Sequence, residues 1–214
     1  MRLHHIPGSR SFRVLWLLEE LGEEAELRLW SLTDGGLRSA EFRALSPAGR
    51  IPALEVDGRA IFESGAIVQY LTETRGRLAP PPGAVERADF LEWISFAETQ
   101  AAQLQNLNIH HIFLRPETAR SVAMMRLDTR RLELTMRAME AHLTGRDWLL
   151  GSFSAAECMF GFNMEAAFRF VRREGFPALA AWAARCAARP AYRRAVQKGG
   201  GSLYAQDFYE VPDA

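Results

Sequence analysis

The sequence predicts a small mixed α/β domain followed by an all-α domain, and three observations carry that reading. Up to about residue 76 the apolar pattern switches repeatedly between period two and a period near 3.6. The proline-rich stretch "RGRLAPPPG" at 75–83 then interrupts it as a short stiff linker. Beyond it the strand pattern disappears and only helical stripes remain. The domains are therefore placed at 1–76 and 85–214, with residues 77–84 as the linker.

Each element follows in order. Residues 2–6 form a strand, and Val14, Leu17, Leu18 and Leu21 then mark one face of a helix over 11–21, which Gly22 stops. "AELRLWSL" at 25–32 alternates as a second strand. Strand, helix and strand in so short a span make a right-handed βαβ unit with parallel strands. A short polar helix is expected at Leu37–Leu45. "IPALEVDGRAIFES" then gives two strands joined by Asp57-Gly58, a strong hairpin signal. Ser64 is read as the N-cap of a helix that carries Ile67, Tyr70 and Leu71. After the linker, helices are expected at 85–113, 117–143, 154–174 and 178–188, broken by Pro116, Gly145, Gly175-Phe176-Pro177 and Pro190. The tail "KGGGSLYAQDFYEVPDA" is read as irregular and packed through Tyr204, Phe208 and Tyr209.

Composition narrows the function classes. Lys plus Arg and Asp plus Glu are balanced at 26 each in 214 residues, which gives no pull toward nucleic acid or an anionic membrane. Cys158 and Cys186 are the only cysteines and form no CxxC, so neither a disulfide framework nor a zinc site is indicated. No signal segment and no spanning apolar run is present. A cytoplasmic protein is expected.

The stretch "GSRSFRVLWLLEELG" at 8–22 raises the chemical question. A glycine, two hydroxyls and a helix N-terminus make a site for a negative charge, through the amides and dipole of the first turn. Four stretches together, "SRSFRVLWLLEELG", "SPAGRIPALEVDG", "ESGAIVQYL" and "GSFSAAE", resemble the cytosolic glutathione transferases over almost the whole length. The first is especially similar to bacterial and fungal members. The resemblance implies a thioredoxin-like N-terminal domain plus an all-α C-terminal domain, the glutathione transferase architecture.

It also implies which anion is held: the glutathione thiolate. A free thiol titrates near ~8.5, and a helix start with hydroxyl donors lowers that value. A serine would then stabilise the sulfur, without acting as a nucleophile. Serine-type members place theirs in the matching "PGS" position, so Ser9 is the first candidate and Ser11 the second. As simple caps the same residues would only stabilise the helix. Where tyrosine-type members carry a strand tyrosine, this chain has His4 and His5, and no cysteine precedes residue 158. His5 is read as a buried structural residue, with a role as base the less favoured option.

The rest of the ligand site is likewise carried over. The resemblance implies a cis bond before Pro52, which turns the backbone of Ile51 toward the cysteinyl unit. Arg50 is placed for the glycyl carboxylate, and Glu63 and Ser64 for the γ-glutamyl end. "FSAAE" fits an S-x-x-E capping box, with Glu157 where the family usually has Asp, and is read as structural. Arg10, Glu98, Asn106 and His110 are candidates either for the electrophile pocket or for contact across a subunit boundary. The expected protein is a homodimeric transferase that conjugates glutathione to a small electrophile or reduces a peroxide, with no metal, organic cofactor, nucleic acid or membrane partner. A glutathione-dependent isomerase and a non-catalytic binding protein are the rival readings.

Overall fold

The computed structural model describes residues 1–212. Its first half runs β1 (Arg2–His5), α1 (Ser11–Leu21), β2 (Glu26–Leu29), α2 (Ala40–Leu45), β3 (Ala53–Val56), β4 (Arg59–Phe62) and α3 (Ser64–Arg75). The sheet order is β2-β1-β3-β4. β1 pairs parallel with β2 and antiparallel with β3, and β3 with β4 form the expected hairpin. Asp57 and Gly58 both take positive φ, at 50° and 75°, as a tight two-residue hairpin turn requires. This is the predicted element order, a thioredoxin-like mixed sheet ahead of a helical region.

The helical region comprises α4 (Arg87–Asn108), α5 (Val122–Leu143), α6 (Ala155–Ala167), α7 (Pro177–Ala188) and α8 (Pro190–Gly199). Several boundaries differ from expectation: β2 spans only Glu26–Leu29, and α5 begins at Val122 behind a Ser121 cap that accepts the Met124 N–H, with a 3-10 turn at Glu117–Ala119 before it. Three others also have identifiable reasons. The first long helix ends at Asn108 and widens into a π turn over Ile109–Phe113, closed by the Leu114 N–H donating to the Ile109 carbonyl at 2.8 Å. α6 stops at Ala167, and the Arg169 carbonyl beyond it accepts the N–H of Tyr209 from the tail at 2.8 Å. Pro190, read as a breaker, instead occupies the first turn of an unforeseen helix, where its missing N–H costs nothing.

By compactness the chain forms two units: Met1–Phe90 with Cys186–Leu203, and Leu91–Arg185 with Tyr204 onward. Secondary-structure type changes at the linker, whereas compactness follows α8 back to the sheet. In the first unit α1 packs on β1, α3 and α8, and is buried on nearly all sides. Its contact with α8 has an apolar centre, where Phe12 and Trp16 meet the ring of Tyr192. Charges flank that centre: Glu20 takes a two-pronged contact from Arg189 at 2.6 and 2.7 Å, and Glu19 binds Arg194 and Lys198. Ala191, Ala195 and Gly199, four apart, are the buried small residues of α8 that allow this approach.

In the second unit the Ser154 and Glu157 capping box forms as expected. The Glu157 carboxylate accepts from the Ser154 N–H at 2.8 Å, the Ser154 hydroxyl at 2.7 Å and the Leu149 N–H at 2.8 Å. Burial pushes its pKa up, and those donors oppose the push. A buried amide network joins three helices: Asn163 donates to the Ala97 carbonyl and to Gln100, and Gln100 donates to Thr135. The tail is fixed by Tyr204 and Tyr209 against Phe170, with Arg172 over the ring of Phe208. No helix among the described residues is long and apolar enough to cross a membrane.

Candidate functional site at the mouth of the first helix

β1 delivers the chain to the start of α1 through Pro7 and Gly8. Ser9 sits half-exposed at this corner, and Ser11, the first residue of α1, is fully buried. Their hydroxyl oxygens lie 2.7 Å apart. Ser11 Oγ is also 2.7 Å from His5 Nδ1, and His5 Nε2 is 2.7 Å from the carbonyl of Gly199 in α8. The two serine candidates are thus one bonded pair in two positions, of which only Ser9 reaches the surface.

The first-turn amides are less free than the sequence implies. Phe12 N–H donates to the Ser9 carbonyl at 3.0 Å and Arg13 N–H to the Arg10 carbonyl at 3.2 Å. Arg10 occupies the cap position of α1 and makes no side-chain cap bond. What this corner offers an anion is therefore the helix dipole and the Ser9 hydroxyl, with Arg10 beside them at the cap position.

A cleft beside it is lined by Arg10, Ser46, Arg50, Ile51, Pro52, Glu63 and Ser64. The Ile51-Pro52 bond at the head of β3 is cis, as expected. Ser46, which sequence reasoning did not single out, is buried and accepts the Arg50 N–H at 3.2 Å, so it shapes the turn that presents Arg50. The α3 start departs by one residue from expectation: Glu63 takes the cap position and Ser64 is the first helical residue. Glu63 has φ 70° and makes no side-chain cap bond, a backbone conformation an L residue rarely adopts. Ser64 Oγ instead accepts from Arg13 Nη1 at 2.9 Å.

Arg13 was also missed. Its guanidinium is fully buried in α1 and stands beneath the N-terminus of α3. The available signal was an arginine within the apolar run "FRVLWLL", a place where only a partnered charge is tolerated. Ser9, Ser11, Arg10, Arg50, Ile51, Pro52, Glu63 and Ser64 all lie in the first unit. Glu98, Asn106 and His110 lie in the second, on α4 and the π turn after it. Glu98 is half-buried, Asn106 exposed, and His110 Nδ1 accepts the Ser121 N–H at 3.3 Å, which ties the end of α4 to the start of α5.

Known proteins match this chain in both sequence and fold. Residues 1–73 match the family model described as the glutathione S-transferase N-terminal domain. The glutathione S-transferase-like protein LUC7 of Fusarium sp is 30% identical over 189 residues, which cover 83% of this chain and 83% of that protein. Glutathione S-transferase 3 of Schizosaccharomyces pombe is 28% identical over 92% of this chain and 86% of its own. Among solved structures, the glutathione transferase URE2P6 from Phanerochaete chrysosporium, in complex with oxidized glutathione, superposes with a TM-score of 0.85. The two are 25% identical, and the match covers 92% of this chain and 95% of that one. The N-terminal model, the length of these matches and the shared fold converge on one conclusion: the chain belongs to the glutathione S-transferase family.

Proposed function

We propose that this protein binds glutathione along the cleft of its first unit and uses the thiolate, held by Ser9, against an electrophilic carbon or a peroxide. The observation that carries the reading is the half-exposed Ser9 hydroxyl at the mouth of α1, backed by Ser11 and bordered by the Arg10-to-Ser64 cleft. Ser9 donates to the sulfur anion, and Ser11, with no exposed surface, acts behind it. The α3 N-terminus, with Ser64 and the buried Arg13, holds the γ-glutamyl carboxylate. Arg50 meets the glycyl carboxylate, and the backbone of Ile51 pairs with the cysteinyl unit.

One hydrogen bond to a charged acceptor is worth about 1.5–3 kcal/mol. That is about one to two pKa units on the thiol. Ser9→Ala is therefore expected to raise the thiolate pKa of bound glutathione by about that much. Turnover per bound glutathione at pH below the wild-type thiolate pKa should fall about 10- to 100-fold, while retention on immobilised glutathione persists. The measurement is kcat/KM against pH with a panel of electrophiles and a peroxide, for wild type and Ser9→Ala. Retention without turnover by the wild type would make this a binding protein. Turnover unaffected by Ser9→Ala would remove the serine from the chemistry.

A further inference from the structure

The donors and acceptors behind Ser9 can be oriented one at a time. The Gly199 carbonyl can only accept, so His5 Nε2, 2.7 Å away, carries the ring hydrogen. Burial pulls the His5 pKa down, against the weaker support of that carbonyl, so the ring is neutral and Nδ1 is a bare acceptor. Ser11 Oγ donates to Nδ1 and accepts the Ile6 N–H at 3.3 Å. With the Ser11 hydrogen committed, Ser9 is the donor in the next bond. The chain of hydrogen bonds thus runs from Ser9 through Ser11 and His5 to Gly199, 194 positions after His5.

The anchoring segment is built to sit there. Gly199 packs closely on α1, where a Cβ would lie 3.2 Å from Leu15 Cδ2 and 3.5 Å from Phe12 Cδ2. Gly8, with φ 71°, passes so close to the tail that a Cβ would fall 2.7 Å from the backbone nitrogen of Leu203. The segment 199–203 therefore touches both the loop that carries Ser9 and the histidine behind it. The charged groups of neighbouring elements are engaged elsewhere: Glu19 with Arg194 and Lys198, Arg13 with Ser64, and His4 with Glu55.

We infer that His5 and the 199–203 segment form a positioning element for the thiolate site, which acts through Ser11 to hold Ser9 Oγ in place while the Ser9 hydrogen swings between Ser11 and sulfur. This rests on the reading of Ser9 as the thiolate's partner. When the hydrogen turns outward, Ser11 Oγ keeps the Ile6 N–H, so no buried oxygen is left unpaired. Preorganisation of this kind spares the site a reorientation of the oxygen when the sulfur ionises.

Two isosteres separate the two ends of the imidazole. His5→Asn places an amide oxygen near the Nδ1 position, where it accepts from Ser11, and gives up the Gly199 bond. His5→Gln places an amide N–H near Nε2, which keeps the Gly199 bond and removes the acceptor for Ser11. The thiolate of bound glutathione is titrated by its ultraviolet absorbance in wild type and both variants, with circular dichroism to confirm folding. The expected result is an apparent thiolate pKa about one unit higher in His5→Gln, a roughly tenfold loss of thiolate below it, and at least half recovered by His5→Asn. An unmoved pKa in His5→Gln, or equal displacement in both variants, overturns the positioning role and leaves the proposed function standing. A wild-type complex whose thiol titrates like free glutathione overturns both. Nitrogen chemical shifts of the His5 ring in the wild type give an arm independent of variant folding. A neutral ring protonated on Nε2 is expected, and an Nδ1-protonated or charged ring at neutral pH overturns the inference.

Discussion

β1 carries two adjacent histidines to opposite faces of the sheet, and their surroundings differ in an instructive way. His4 faces Trp30 and Phe42, while His5 faces α1 and α8. Both are buried, and both hold their hydrogen on Nε2, for opposite reasons. The Trp30 indole can only donate, so His4 Nδ1 accepts it at 2.9 Å and Nε2 donates to Glu55 at 2.9 Å. The Gly199 carbonyl can only accept, so it claims the His5 Nε2 hydrogen and leaves Nδ1 for Ser11. The His4 chain ends on a carboxylate at the sheet surface. The His5 chain ends on a hydroxyl beside a cleft. Strand position, burial and tautomer are shared, so the two histidines differ in the terminal partner, and on the proposal above that difference separates a stability role from a site role.

Three further experiments test that contrast. His4→Leu should have the largest effect on stability, since it strands the half-buried Trp30 N–H and removes one partner of Glu55, leaving Arg2. A loss of about 2–3 kcal/mol in urea unfolding is expected, with the pH profile of turnover unmoved. A profile displaced as in His5→Gln would erase the distinction between the two faces.

Acidification should act next, through groups held neutral by burial. An unfolded histidine titrates near 6.5, and folded His5 lies below that value. The unfolded chain therefore binds the proton first. The His5 contribution is complete above about 6.5 and is lost as pH falls toward the folded value. His111 behaves alike in the second unit, where desolvation first, then Arg120 and His110, push it to about 4. His111→Phe keeps a ring against Phe170 and Tyr209 and should flatten the decline between about 6.5 and 4 by about 1–2 kcal/mol in urea titrations.

Glu55→Gln should have the smallest effect. The His4 hydrogen bond, followed by Arg2, holds the Glu55 carboxyl below its usual range despite opposing desolvation. Its support is present above about 4.5 and is lost as pH falls through the lowered value. A glutamine accepts the same N–H, so the cost at neutral pH should be about 0.5–1 kcal/mol. The acid-side slope from this group should vanish from stability measured against pH.

Local signals were legible wherever one segment decides its own structure. The apolar stripe and terminal glycine located α1 at 11–21, and Asp57-Gly58 located the hairpin. α8 was not legible, because Pro190 reads equally as a stop or a first-turn residue. Only the buried stripe of Ala191, Ala195 and Gly199 against α1 distinguishes the two. The serines at 9 and 11 were read together as candidates for an anion site, without their division into an exposed and a buried member. That division depends on His5 and on a carbonyl near the far end of the chain, and no spacing rule connects them. Arg13 stood in plain view, yet its partner Ser64 is found only through the packing of α1 on α3.

The path of the chain has a consequence for how this protein can be cut. It leaves the first unit after Phe90, returns at Cys186 and departs again after Leu203. No contiguous stretch of the gene encodes either unit. An excision at the linker would strip α1 of the helix that covers it, and a stop codon before α8 would remove the carbonyl that holds His5. Fusion partners and affinity tags belong at the ends of the intact polypeptide, never at the proline-rich junction.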